Sequence, residues 1–149
     1  MPDLELSTLE LQRRVRVGQI GRTERGFLDF VIDGQSLWDS LGTDMVSCLG
    51  WLPEPFNRAA IDRLLLRAPA DFPNDRRSLY ICPECADLGC GAVSVVIERD
   101  MENIVWRDFG YENNYDPDVI REGFEDYPTI RFDASRYLEI IQAALMTSP

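Results

Sequence analysis

Hydrophobic and polar side chains alternate near the start of the chain in the pattern of a β-hairpin. Residues 27–32 have the two-residue period of a half-buried strand, with leucine, phenylalanine and isoleucine on one face. Residues 14–20 form the preceding strand, and the polar residues 22–26 form the turn between the two. The sequence therefore predicts an N-terminal hairpin.

Two later segments have the 3.6-residue period of amphipathic helices. The first covers residues 56–67 and ends before Pro69, and the second follows Asp133, whose carboxylate can accept hydrogen bonds from first-turn amides. The predicted buried stripe of the first helix consists of Ala60, Ile61, Leu64 and Leu65. The predicted buried face of the second consists of Tyr137, Leu138, Ile141, Ala144 and Leu145.

The rest of the chain is rich in short strand patterns. Residues 78–82, 91–98 and 103–109 predict strands joined by turns, and residues 129–132 predict a last short strand. Residues 43–51 form an apolar run that is either a strand or a buried loop. We therefore predict an α+β fold, with a mainly antiparallel sheet of about six strands covered on one face by two helices. The sheet would consist of the N-terminal hairpin and a meander.

Length and composition set the class of protein. The 149 residues predict a single domain over residues 1–149, and a hydrophobic content of 45% is enough to build its core. No apolar run approaches the roughly 18 residues of a membrane span. The first ten residues hold no basic side chain, which is not typical of a secretory signal. We therefore expect a cytoplasmic protein with no membrane partner, whose cysteines are reduced or metal-bound.

Charge composition excludes several classes of function. The formal net charge is −11, from 26 acidic and 15 basic residues, and all of the basic residues are arginine. A negative field of this size repels phosphate backbones and attracts basic proteins, so we expect no nucleic-acid partner. Histidine and lysine are both missing. Their absence excludes Ser-His-Asp and Cys-His catalysis, phosphate-loop lysines, Schiff-base chemistry and imidazole-ligated zinc.

The cysteines form the sharpest local motif. Residues 82–85 read Cys-Pro-Glu-Cys, and Gly-Cys-Gly follows at 89–91. Tetrahedral zinc takes four ligands, so a zinc site would need every cysteine of the chain. These candidate metal ligands are Cys48, Cys82, Cys85 and Cys90. Two alternatives stay open: the cysteines pack as small apolar side chains and the protein holds no cofactor, or the closely spaced pair cycles between dithiol and disulfide.

Carboxylates and aromatic rings are interleaved in residues 98–126. The segment has ten acidic residues against three arginines, so it carries −7 of the net charge of −11. Such a surface suits a basic protein partner, because the rings become buried on contact and the carboxylates steer the encounter. The candidate partner-binding residues are Trp106, Asp108, Tyr111, Glu112, Tyr115, Asp116 and Asp118. The alternatives are a solvated loop whose rings fold onto the core, a calcium site, or a pair of catalytic carboxylates.

Three strings of the chain resemble a known pattern. Cys-Pro-Glu-Cys at 82–85, Gly-Cys-Gly at 89–91 and Trp-Arg-Asp-Phe-Gly-Tyr-Glu-Asn at 106–113 are similar to a family of small uncharacterised bacterial proteins, sometimes labelled oxidoreductases. The resemblance covers residues 79–113 and implies no catalytic residue. The chain has no glycine-rich dinucleotide turn after a strand to support the oxidoreductase label.

In size, acidity and α+β character the chain is also similar to immunity proteins, which cover the basic active-site clefts of bacterial toxins. Together with the short supply of catalytic side chains, this similarity leads to one main hypothesis. We expect a non-enzymatic acidic binding protein, an immunity-type inhibitor that occludes a basic protein partner. The alternative is a small zinc-binding or thiol-redox protein that uses Cys82, Cys85 and Cys90.

Overall fold

The fold combines two antiparallel sheets with short helices, and the computed structural model describes residues 5–84, 90–113 and 118–146. In chain order the elements are β1 (Leu9–Arg16), β2 (Arg25–Ile32), β3 (Gln35–Ser36), α1 (Leu37–Leu41), β4 (Val46–Ser47), α2 (Phe56–Leu64), β5 (Arg76–Ile81), β6 (Ala92–Asp100), β7 (Asn103–Glu112), β8 (Ile130–Asp133) and α3 (Ala134–Gln142). A short 3-10 helix, Ala143–Met146, follows α3. The predicted α+β class is confirmed.

Neighbouring strands in each sheet are also consecutive in the chain. β1, β2 and β3 form a three-stranded sheet, and β4 to β8 form a five-stranded sheet in sequential order. The β1–β2 pair is the predicted hairpin, with Leu9 opposite Ile32 and Arg16 opposite Arg25. β5 to β8 form the predicted meander. Short connections join β1 to β2, β2 to β3 and β6 to β7, whereas α2 lies between β4 and β5 and residues 113–129 lie between β7 and β8.

The two sheets are joined at both sides by backbone hydrogen bonds. On one side the Ser7 amide donates to the carbonyl oxygen of Arg131 at 2.7 Å, and on the other the Leu28 amide donates to that of Leu49 at 2.9 Å. The hydroxyl of Ser47 also donates to the Leu28 carbonyl oxygen. These bonds bring the inner faces of both sheets onto one hydrophobic core.

α2 and α3 bury most of the residues that the helical pattern predicted. The stripe of α2 is buried as predicted, although the helix itself ends at Leu64. Asp133 caps α3 as predicted, because its carboxylate accepts a hydrogen bond from the Arg136 amide at 3.1 Å. Leu138 was predicted to be buried, and this is wrong: it is 36% exposed. It follows the buried Tyr137 and points about 100° away around the helix axis.

No helix in the described ranges is long and apolar enough to cross a membrane.

Trp106 lies at the centre of the core. It is 0% exposed, and its ring makes edge-to-face contacts with Phe30, Phe132 and Tyr137 at centroid distances of 5.4, 5.1 and 6.1 Å. Its indole N–H donates to the Tyr137 hydroxyl at 3.2 Å, and that hydroxyl donates to the carbonyl oxygen of Leu64 at 2.8 Å. Trp106 therefore connects both sheets to both longer helices. The prediction that it binds a partner at the surface is wrong.

The sequence pattern missed the smallest elements and misplaced one strand. β3 and β4 have two residues each and α1 has five, so none is long enough to display a period. The structure has eight strands in two sheets within the described residues, where about six in one sheet were predicted. β1 begins at Leu9 instead of residue 14, because its pairing with β2 continues back to Ile32.

The buried position of Trp106 gives a stability prediction. Replacing Trp106 with alanine should lower the free energy of unfolding by about 3–5 kcal/mol, because it removes a large ring from a packed core. Ile20→Ala is the control, since Ile20 is fully exposed, and it should change stability by no more than about 0.5 kcal/mol. Urea unfolding followed by circular dichroism measures both. Equal effects of the two substitutions would contradict the core position.

Candidate functional site

A buried arginine crosses three strands of the five-stranded sheet. Arg76, in β5, is 1% exposed. Its Nε donates to Glu112 Oε2 at 2.7 Å and its Nη1 donates to Asp108 Oδ2 at 2.9 Å, both in β7. Its Nη2 donates to the backbone oxygens of Ser94, in β6, and Asp108, at 3.1 and 2.7 Å. Glu112 is itself 5% exposed and accepts a further hydrogen bond from the Ser94 hydroxyl.

Two local irregularities make room for this network. The pairing registers of β5–β6 and of β6–β7 both shift next to Ser94. Asp108 has a φ of 58°, a left-handed conformation that aspartate adopts more readily than most residues. Gly110 lies opposite Ser94, and a Cβ atom there would be 2.5 Å from Val119 Cγ1. Only glycine at 110 lets the following segment cross β7 this closely.

Asp108 connects the buried arginine to residues 118–129, which we call the acidic loop. Arg121 of this loop donates from Nε to Asp108 Oδ1 at 2.7 Å and from Nη2 to Oδ2 at 2.9 Å. Hydrogen bonding from Arg121, followed by the charge of Arg76, lowers the pKa of Asp108 below its ordinary value. The Asp108 carboxylate therefore binds Arg76 of the sheet and Arg121 of the acidic loop, and so holds the loop against the sheet.

Aromatic packing holds the rest of the acidic loop. The ring of Tyr127 lies 5.3 Å from the buried Phe109 and 6.2 Å from Phe124. The hydroxyl of Tyr127 is hydrogen-bonded to the Ser40 hydroxyl at 2.8 Å, which connects the loop to α1. Backbone bonds between Tyr111 and Ile120, at 2.9 and 2.8 Å, connect it to β7. The loop is thus attached at its start, middle and end.

The acidic loop presents a cluster of carboxylates to solvent. Glu122, Glu125 and Asp126 are exposed, and none of them forms an ion pair with an arginine in the described chain. Asp126 lines an open groove of about 610 Å³ between the loop and the β2–β3 turn. Asp33 lines the opposite side of the same groove. We call this region the acidic groove.

The predicted partner-binding residues do not form one surface. Glu112 is buried against Arg76, and Asp108 is committed to two arginines. A solvent-facing role is therefore wrong for Glu112, whereas the Asp108 side chain is 30% exposed but bound by Arg76 and Arg121. An acidic sequence does not reveal which carboxylates are paired internally. Asp118 is exposed, as predicted. Tyr115 and Asp116 lie outside the described residues.

Tyr111 is half-buried and packs on the cysteine segment. Its hydroxyl donates to the carbonyl oxygen of Cys90 at 3.2 Å. A Cβ atom on Gly91 would be 2.0 Å from that hydroxyl oxygen, and Gly91 has a φ of 100°. Glycine is needed at 91 for both reasons. The Tyr111 ring therefore supports the chain around Cys90.

The first turn of the cysteine motif is held by the N-terminal hairpin. Glu84 Oε1 accepts hydrogen bonds from Arg16 Nη1 and from the Thr23 amide, both at 2.9 Å, and the Thr23 hydroxyl donates to Oε2. The hydrogen bonds from Thr23, followed by the bond from Arg16, lower the pKa of Glu84 to about 2. Arg25 Nε donates to the Pro83 carbonyl oxygen at 2.8 Å. The turn is therefore fixed from the opposite sheet.

Cys48 lies beside the middle of β5, before the cysteine turn begins. The Cys48 amide donates to the Leu79 carbonyl oxygen at 3.1 Å, whereas Cys82 follows the end of β5 at Ile81. The Cys48 side chain is 2% exposed, and its role as a metal ligand stays a prediction. Burial raises the pKa of its thiol to about 12.

The rest of the thiol hypothesis stays a prediction. Cys82 is half-buried and Cys90 is exposed, and Cys85 lies outside the described residues. Within the ranges that the structure describes, no group of three or more cysteine, aspartate or glutamate side chains is placed to hold a metal ion.

In comparisons with known proteins, no family model, curated protein or solved structure matches the chain. Sequence reasoning missed Arg76 and Glu84 as organising residues, since nothing in a sequence marks an arginine that will be buried. It included Glu122, Glu125 and Asp126 in the acidic segment without selecting them. These acids follow Arg121 in the chain, but only the structure shows that Arg121 binds Asp108 and so holds them in place.

Glu84 gives a prediction about acid stability. Its ordinary pKa is 4.5 and its folded pKa is about 2, so its stabilising contribution is complete above about pH 4.5 and is lost as the pH falls towards 2. The difference in unfolding free energy between the wild type and Glu84→Gln should therefore be largest near neutral pH and shrink through that window. Urea titrations at each pH measure it.

Glu24→Gln is the matched control, because Glu24 is exposed in the same hairpin and has no arginine partner within the described chain. A Glu84→Gln difference that is constant from pH 7 to pH 2 would contradict the assignment.

Proposed function

We propose that this chain is a non-enzymatic binding protein that recognises a basic protein through the acidic loop and the acidic groove. The specific form that we propose is an immunity-type inhibitor, acting in the cytoplasm, which covers the basic cleft of a toxin. The assignment moves the contact surface predicted from the sequence away from Trp106, Asp108 and Glu112. It places the surface on Glu122, Glu125 and Asp126.

The observation that carries the proposal is a cluster of unpaired carboxylates on a loop that is held in place. Arg121 and Tyr127 attach the loop on either side of these residues. Binding to a loop that is already ordered costs less conformational entropy than binding to a mobile one. Arg121, the arginine of this loop, is bound to Asp108, and none of these carboxylates forms an ion pair within the described chain.

The acidic groove offers a place for long basic side chains. Asp33 and Asp126 both line it, together with the hydroxyl groups of Ser40 and Tyr127, which are hydrogen-bonded to each other. A lysine or arginine side chain of a partner could enter with its aliphatic stem against Leu37 and its charge between the two carboxylates. Outside the groove, the remaining loop carboxylates would speed the encounter by electrostatic attraction.

The buried acids of the described chain are occupied, which supports a binding role over catalysis. Asp29 is 0% exposed and accepts hydrogen bonds from the Tyr80 hydroxyl at 2.6 Å and from the Ser36 hydroxyl. Glu112 is held by Arg76 and Ser94. A general acid or base needs a carboxyl group within reach of a substrate proton, and these two face other side chains.

The test uses charge reversal on the acidic loop. An inhibitor is expected to be encoded beside its toxin, so the partner to assay is the basic protein encoded by the neighbouring gene. The triple variant Glu122→Arg, Glu125→Arg and Asp126→Arg should slow association by about tenfold or more, and should flatten its dependence on salt concentration. Stopped-flow fluorescence at several ionic strengths measures both quantities.

The control is a second triple variant with the same change in net charge. Glu24, Glu102 and Glu139 are exposed acids on other parts of the molecule. Their reversal to arginine should reduce the association rate much less than reversal of the loop acids. Equal losses in the two variants would show a general charge effect and contradict the surface assignment. Absence of binding by the wild-type chain would contradict the inhibitor role.

A further inference from the structure

A second concave site lies on another part of the molecule. A cleft of about 480 Å³ opens between the start of α2, the segment after β4 and the outer end of β5. Its volume is within the range of small-molecule pockets, about 300–1,000 Å³. It shares no lining residue with the acidic groove. Nothing in the proposed function uses it.

The walls of the cleft are apolar and aromatic. Trp51 forms one wall, and its indole N–H donates to the Ser47 carbonyl oxygen at 2.7 Å, which fixes the ring. Phe56 forms another and is 61% exposed, an unusual amount for a phenylalanine. Cys48 also lines the cleft, and its 2% exposure and raised thiol pKa make it part of the apolar lining. These side chains suit a flat or branched apolar group.

Two arginines, Arg25 and Arg63, line the cleft. The guanidinium of Arg25 lies 4.7 Å from the centre of the Trp51 ring and uses its Nε on the Pro83 carbonyl oxygen. Its two Nη groups have no acidic partner within the described chain. Arg63, on α2, approaches Asp71 through Nε at 3.5 Å. Arg63 is thus paired with Asp71, whereas Arg25 keeps Nη donors without an acidic partner in the described chain, and such donors suit a carboxylate.

The two acids that line the cleft are already satisfied. Asp71 accepts hydrogen bonds from the Ser78 amide at 3.1 Å and the Ser78 hydroxyl at 2.6 Å, and its side chain is 8% exposed. Glu84 is bound to Arg16 and Thr23 on the hairpin side. The hydrogen-bonding capacity left in the cleft therefore belongs mainly to the arginines. The lining is balanced in charge, with Arg25 and Arg63 against Asp71 and Glu84. Because Asp71 pairs with Arg63 and Glu84 pairs with Arg16, Arg25 is the cation of the cleft that has no acidic partner within the described chain.

We propose that this cleft binds a small organic carboxylate with an aromatic or branched apolar body. The body would lie between Trp51 and Phe56, and the carboxylate would face the Nη groups of Arg25, with Arg63 as the second cation. Arg25 is already oriented by its ring contact and by Pro83, so little of its side-chain freedom is left to lose on binding.

The test compares two probes of nearly the same shape, one with a charged carboxylate and one with a neutral amide. 2-Naphthoate and its neutral amide, 2-naphthamide, are titrated into the isotopically labelled full chain, and the indole N–H signals of the tryptophans are followed by NMR. The Trp51 signal should move with saturation, the buried Trp106 signal should not, and the carboxylate should bind at least about tenfold more tightly than the amide. A preference for the amide, or no movement at Trp51 for either probe, would overturn the proposal.

Variants separate the charge contribution from the apolar one. Arg25→Met should weaken 2-naphthoate about tenfold and leave 2-naphthamide unchanged. Arg58→Met is the matched control, because Arg58 is exposed on the same helix as Arg63 and does not line the cleft. Ala59→Phe keeps both arginines and fills the cleft, so it should abolish binding of both probes. Unchanged 2-naphthoate affinity in both Arg25→Met and Ala59→Phe would place the probe elsewhere and overturn the proposal.

Discussion

Arg76 places a full positive charge inside the five-stranded sheet, and most of the arrangement around it follows from the need to satisfy that charge. Removing an arginine and a glutamate from water costs several kcal/mol for each ion. Here the cost is offset because the guanidinium donates to two carboxylates and two backbone oxygens, while Glu112 also accepts from Ser94. Such a network favours one geometry, since loss of Glu112 would remove the buried partner of Arg76 and loss of Arg76 would leave the Glu112 charge buried and unpaired.

The network determines where both candidate functional segments lie. Asp108 accepts from Arg76 on one side and from Arg121 of the acidic loop on the other. Three residues later, Tyr111 supports the backbone at Cys90. The acidic loop and the cysteine segment are thus attached to the same half of β7. Hydrogen bonds from Asp108 and Tyr111 thus hold the acidic loop against the sheet.

This arrangement also explains the most distinctive string of the sequence, residues 106–113. Trp106 fills the core, Arg107 pairs with Glu98 across the strands at 2.9 Å, and Phe109 packs on Tyr127. Gly110 admits the crossing segment, and Glu112 closes the ion pair with Arg76. Each described residue from 106 to 112 has a structural task. The string is therefore explained by the architecture that holds the acidic loop, and Arg107 is the one exposed residue among residues 106–112.

The sequence was sufficient to predict the parts of the fold that depend on local pattern. The N-terminal hairpin, the meander, the buried stripe of α2 and the Asp133 cap follow from period and capping chemistry, and the structure confirms them. The pattern failed where tertiary contacts decide. A carboxylate such as Glu112 has the same local signature whether it faces solvent or a buried arginine, and Trp106 suits a core as well as an interface. The two-residue strands β3 and β4 carry no period at all.

The central claim is that Asp108 transmits the order of the Arg76 network to the acidic loop. Hydrogen exchange of single amides in Asp108→Asn tests it most directly, because asparagine keeps the size of the side chain and tolerates the left-handed φ of 58°. The account predicts that the amides of Ile120, Phe124 and Tyr127 exchange at least about tenfold faster, while the Leu28 amide in the other sheet keeps its protection. Unchanged exchange in the loop, or an equal acceleration at all four amides, would contradict it.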